Sequence, residues 1–122
     1  MKYISVLIVL LFVTYGQLIL KHQVNKIGAA PSGNVGQLIP FFGELLTDVG
    51  ILSGLAAAAV AALAWLYAIS KFELSSVYPL LSINFILVPL LSILLFNEAI
   101  NTHKAIGVVI IVLGIVVFSK GL

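Results

Sequence analysis

Val77–Asn97 reads VYPLLSINFILVPLLSILLFN and carries no charged side chain. An uncharged run of that length crosses a hydrocarbon core of about 30 Å as a helix. The run also holds Tyr78, Pro79, Ser82, Asn84 and Pro89, which an inert anchor does not need. Each proline removes a backbone donor, and inside a bilayer the freed carbonyl is satisfied by a neighbouring helix, a hydroxyl or water. The segment is therefore expected against other helices or a polar groove, not surrounded by lipid. At about 100° per residue, Tyr78, Ser82, Phe85 and Pro89 share a face and Asn84 points elsewhere. The reading is one face lining a pathway while Asn84 bonds to a neighbouring helix.

The remainder is equally apolar. Of 122 residues, 62% are hydrophobic and 8% charged, against about 25% charged in soluble domains. A water-soluble fold of this size cannot hide that much apolar area, so the expected class is an all-α integral membrane protein. The absence of cysteine excludes disulfides and thiolate metal sites. There is no arginine and no lysine cluster, which argues against nucleic acid as a partner. The opening run MKYISVLIVLLFV lacks a small-residue cleavage site before Lys21 and reads as a retained helix.

Four transmembrane helices are expected, at 3–20, 49–69, 75–97 and 102–119, within a single domain covering 1–122. A short interfacial amphipathic helix is expected at 36–47, between the first and second. In helix one, Thr14, Gln17 and Lys21 recur at i, i+3 and i+7 and share a face. Gln17 lies inside the apolar span, where an amide is aimed at a protein neighbour or a watery cavity. Interhelical bonding and substrate contact both remain open for it. Lys21 reads either as a snorkelling anchor or as a phosphate ligand.

Lys21–Gly36, KHQVNKIGAAPSGNVG, reads as a loop. Val35, Leu38, Ile39, Phe42, Leu45 and Leu46 then recur at helical spacing, and Pro40 suits a first turn. An early start of helix two is the alternative, but it would carry Glu44 and Asp48 into hydrocarbon. Gly50 and Gly54 form a GxxxG pair ahead of an alanine-rich run, which favours close helix approach. Gly107 and Gly114 share a face of helix four and suit contact within or between subunits. Glu98 reads as a solvated turn acid at the membrane boundary, paired with Lys104. Three lysines fall at each end of the helices, so the positive-inside rule gives no orientation.

The chemistry is sparse. No GxxxxGK[ST] pattern occurs, which argues against ATP hydrolysis within the chain. His22 and His103 lack a carboxylate cluster and read as loop histidines, not metal ligands. No nucleophile–base pair exists, so no catalytic residue and no cofactor is expected, and the chain reads as a transporter rather than an enzyme. Lys21, His22, Lys26, His103 and Lys104 gather at one rim, which would attract a lipid phosphate. Gln17, Tyr78, Ser82 and Asn84 offer neutral hydrogen bonds to hydroxyls. That combination suits a lipid carrying a sugar phosphate.

Four helices in so short a chain resemble the small multidrug resistance group and the EamA-type drug/metabolite transporters. Gly16-Gln17-Leu18 followed by Lys21 is similar to the GQLxxK-type pattern in helix one of the flippase subunits for 4-amino-4-deoxy-L-arabinose-phosphoundecaprenol. Val77–Phe85, VYPLLSINF, resembles their AYPxLSLNF pattern, and similarity continues through Glu98 and Gly107 to Gly114-Ile115-Val116. The loop Ile27–Asp48 matches poorly. Proton-coupled drug pumps of the group use a glutamate in helix one; aligning on Gly16 and Lys21 puts Val13 there, so a cationic drug finds no counter-charge. The resemblance implies a flippase, or half of one, for a polyprenyl-phosphate-linked monosaccharide in the bacterial inner membrane. Lys21 and Lys26 would take the phosphate, and Gln17, Tyr78, Ser82 and Asn84 the sugar. Four short helices enclose little polar volume, so a protected path for a bulky head calls for a homodimer, or a heterodimer with a related four-helix subunit, among membrane lipids. The alternatives are a small-metabolite or drug transporter, or a non-transporting accessory subunit.

Overall fold

The computed structural model describes residues 2–28 and 30–121; residue 29 of the expected loop lies outside them. The helices are α1 (Lys2–Ile27), α2 (Leu38–Thr47), α3 (Val49–Lys71), α4 (Leu74–Leu80), α5 (Asn84–Phe96) and α6 (Thr102–Ser119). One 3₁₀ turn, Val35–Gln37, leads into α2, and another, Leu81–Ile83, joins α4 to α5. No strand occurs among the described residues. α1, α3, the run Leu74–Phe96 and α6 are each long and apolar enough to cross a membrane. The chain is an all-α, multi-pass membrane protein.

The first helix does not stop at Leu20. It continues through Lys21, His22 and Lys26 to Ile27. None of these residues breaks a helix; the first that does is Gly28, at φ +111°, a conformation that suits glycine at a helix end. The loop expected from Lys21 onward therefore begins only at Gly28. The helix end is also tied down. Gln23 Nε2 donates to Asp48 Oδ1 at 2.7 Å, and the same oxygen accepts from the Ile51 amide at 3.0 Å, capping α3.

Asp48 also separates α2 from α3, being extended (φ −82°, ψ 128°). α2 contributes no buried residue, and Val35, Ile39, Phe42 and Leu46 are exposed beside the bundle. Such an apolar face outside the bundle suits a helix lying in the interface. Pro40 sits in its first turn.

The Ile51 amide, then the Gln23 amide, hold the Asp48 carboxyl below the usual carboxylate range. A carboxyl depressed in the folded state stabilises above its unfolded pKa, and that contribution is lost as pH falls through the folded pKa. Thermal stability in detergent is therefore expected to fall on acidification below about pH 4. Asp48→Asn should flatten that slope and lower the melting temperature at neutral pH, because Asn keeps one acceptor but loses the charge.

α1 and α3 form the closest seam. Gly16 and Gly54 face each other: a Cβ on Gly16 would lie 3.3 Å from the Gly54 carbonyl. Gly50 lies under the Gln23 side chain. Below this seam Val6 and Leu10 of α1, Ala68 of α3 and Val77 of α4 form the buried cluster, with Trp65, Leu80 and Leu81 against it. α6 has no buried residue. A Cβ on Gly107 or Gly114 would meet nothing within 4 Å, so neither glycine packs against another part of this chain.

Candidate functional site

The third apolar run is not one continuous helix. Its 3₁₀ turn at Leu81–Ile83 advances about 120° per residue instead of 100°. Over three residues that rotates Asn84 by about 60° toward the Tyr78 side. Tyr78, Ser82 and Asn84 consequently line one open groove with Ser75, Pro79 and Phe85, of about 500 Å³. Uniform helical spacing puts Asn84 on a different face; the tight turn is what the spacing misses.

Asn84 has two roles in this arrangement. Its Oδ1 accepts from Thr14 Oγ1 at 3.0 Å, which joins α5 to α1 as expected of an amide between helices. Its amide nitrogen remains for another acceptor in the groove. Ser82 donates to the Pro79 carbonyl, so its hydroxyl offers lone pairs to a ligand rather than its proton. Tyr78 is 62% exposed, and its ring stands edge-on to Trp65 of α3 at 5.8 Å, leaving the phenol at the groove. Pro79 and Pro89 deprive the carbonyls of Ser75 and Phe85 of their i+4 donors. Ser75 and Phe85 line this same groove, where a polar ligand or water can satisfy their carbonyls.

Gln17 and Lys21 are exposed and do not line the groove itself. Their position follows from helix geometry. Gln17 is two turns beyond Leu10, on the same side of α1, and Leu10 is buried against Val77 and its neighbours. Gln17 therefore stands above the cluster, and Thr14, already bonded to Asn84, lies one turn below it. Lys21 is one turn further toward the helix end. The sequence Asn84, Thr14, Gln17, Lys21 thus forms a polar edge climbing from the groove to the rim. A primary amide turned to lipid would cost about 1–3 kcal/mol, so this edge is suited to water, a headgroup or a second chain.

Lys26 does not join that edge. It is three residues beyond Gln23, on the side facing α3, where its charge helps hold Asp48 ionised. His22, one turn before Lys26, is stacked on Phe96 of α5 (ring centroids 6.3 Å apart). Lys104 turns its ammonium to the Ala99 carbonyl at 3.3 Å. Two contacts have no forerunner in the sequence reading: Tyr15 Oη with Ser53 Oγ at 3.0 Å, and Gln23 with Asp48. The second is hidden by the loop-like composition around Gln23. The signal that finds it is the lack of any helix breaker between Lys21 and Gly28, which keeps Gln23 on α1.

Residues 3–120 match the model of the EamA-like transporter family. The chain is 36% identical to a probable 4-amino-4-deoxy-L-arabinose-phosphoundecaprenol flippase subunit, ArnF, of Photorhabdus laumondii, over 97% of this chain and 96% of the relative. It is 34% identical to the probable subunit ArnE of the same flippase from Pectobacterium atrosepticum, over 94% of this chain and 95% of the relative. It is likewise 34% identical to the probable ArnF of Yersinia enterocolitica, over 84% and 81%. No solved structure matches the chain. A match from end to end, both in the family model and in full-length relatives, fixes the membership: this chain belongs to the EamA-like transporter family.

Proposed function

We propose that the chain is a flippase subunit that carries a polyprenyl-phosphate-linked monosaccharide, of the aminoarabinose type, across the bacterial inner membrane. The observation that carries this reading is the polar edge Asn84–Thr14–Gln17–Lys21 rising beside the Tyr78–Ser82 groove. Its neutral part offers hydrogen bonds to sugar hydroxyls, and its outer end offers a cation to phosphate. The near full-length likeness to flippase subunits supports the same substrate class.

In this mechanism the headgroup travels along the groove while the prenyl tail stays in lipid. Lys21 takes the phosphate, and Lys26, further out on α1, adds to the local positive field. Gln17, Tyr78, Ser82 and Asn84 exchange hydrogen bonds with the sugar as it passes. No covalent step is required, and direction comes from consumption of the lipid on the far side or from an ion gradient. The open groove favours a second chain completing the pathway, either another copy or a related four-helix subunit. The uncontacted Gly114 on α6 suits close approach of that chain.

The test is reconstitution in vesicles, with and without a related partner subunit, using a fluorescently tagged sugar-phosphate polyprenol. The protein should accelerate exchange of the head between leaflets well above empty vesicles. Equal rates in both vesicle types, with the partner present, would sink the reading.

A further inference from the structure

A second cavity lies away from the groove, between α5 and α6. It has a volume of about 450 Å³ and is lined by Leu90, Ser92, Val108 and Ile111, with Glu98 and Lys104 also bordering it. Gly107 forms part of its wall, and the space beside that glycine is empty within 4 Å of where a Cβ would sit. Pro89, which has no backbone N–H, is also in the wall. Together they open a slot where two helices would otherwise pack ridge against groove.

The slot has a polar mouth and an apolar depth. Glu98 and Lys104 are both exposed and lie in or beside the turn between α5 and α6. From Lys104 to Ile111 along α6 the slot descends about 10 Å. Only Ser92 adds a polar side chain inside it. Lys104 uses one of its donors on the Ala99 carbonyl, so two remain for an anion. Glu98 accepts only, so it calls for a cation or a donor.

We infer that this slot binds a membrane phospholipid whose head carries both a phosphate and a primary amine, as in phosphatidylethanolamine. Lys104 takes the phosphate, Glu98 takes the ammonium, and one acyl chain lies along Leu90, Val108 and Ile111. Charge complementarity selects this occupant. A phosphatidylglycerol head offers Glu98 only neutral hydroxyls, with no cation to balance the carboxylate. A choline head supplies a cation with no N–H to donate to the carboxylate. The site is separate from the Tyr78–Ser82–Asn84 groove and does not depend on the transport reading.

The test is native mass spectrometry of the full chain in detergent, titrated separately with phosphatidylethanolamine, phosphatidylcholine and phosphatidylglycerol of identical acyl chains. Phosphatidylethanolamine should bind on the order of tenfold more tightly than the other two, a difference of about 1.4 kcal/mol. Glu98→Gln should remove that preference while leaving oligomeric state and melting temperature unchanged. Glu73→Gln, in the turn between α3 and α4, should keep it. Gly107→Leu should fill the slot and reduce binding of all three lipids. Equal affinity for the three lipids on the wild-type chain would overturn the site. So would a preference that survives Glu98→Gln, or lipid displaced whenever the chain self-associates.

Discussion

Replacing Gly54 by leucine is expected to remove most folded protein from the membrane. A Cβ at that position would lie 2.9 Å from Ile19 Cγ2 and 3.0 Å from Leu20 Cγ, before the rest of the side chain is added. Directly opposite, Gly16 approaches the Gly54 backbone. The two helices can meet only because neither carries a side chain there. Overpacking of this kind costs about 1–3 kcal/mol, or more where the backbone cannot shift. Here α1 cannot shift freely, because Thr14 holds Asn84 and Gln23 holds Asp48 on either side of the seam. In a bilayer the α1–α3 contact has little hydrophobic drive to compensate, since lipid is as apolar as leucine. Size-exclusion profiles and melting curves in detergent measure the effect. Gly114→Leu, on the uncontacted face of α6, should leave the isolated chain intact.

The second large effect is on transport. Gln17→Ala combined with Lys21→Ala should lower sugar-lipid translocation by about tenfold or more without loss of folded protein. Both side chains are exposed, so their removal opens no cavity. A charge-assisted hydrogen bond contributes about 1.5–3 kcal/mol, and tenfold corresponds to about 1.4 kcal/mol. Losing the phosphate contact alone is therefore enough for the predicted drop, and losing the amide deepens it. Initial rates in the vesicle assay provide the measurement. Full activity in the double variant would remove both residues from the pathway.

Much of the fold is legible without coordinates. The four apolar runs and the separate short helix follow from length, charge scarcity and period. Gly50 and Gly54 announce a close seam, though only the structure pairs Gly54 with Gly16. The pairing of Asn84 with another helix is also readable, because an amide in an apolar run needs a partner. Its place beside Tyr78 and Ser82 is not, because the spacing argument assumes a uniform turn and Leu81–Ile83 is tighter. The length of α1 escapes for a related reason. Lys21, His22, Gln23 and Asn25 look like loop in composition, yet none of them ends a helix. What stops α1 is Gly28, and what holds its end is Asp48, far away in sequence. Long-range partners of that kind are invisible to local pattern.

The most direct test is the reactivity of a single thiol at the middle of the polar edge. The chain has no cysteine, so Gln17→Cys gives one label site, and Leu94→Cys on an exposed apolar face of α5 gives the comparison. In vesicles, a membrane-impermeant maleimide should modify position 17 and spare position 94. Added sugar-phosphate polyprenol should slow modification at 17. An unreactive position 17, or one whose labelling rate ignores the lipid, would contradict a water-reached path for the headgroup along α1.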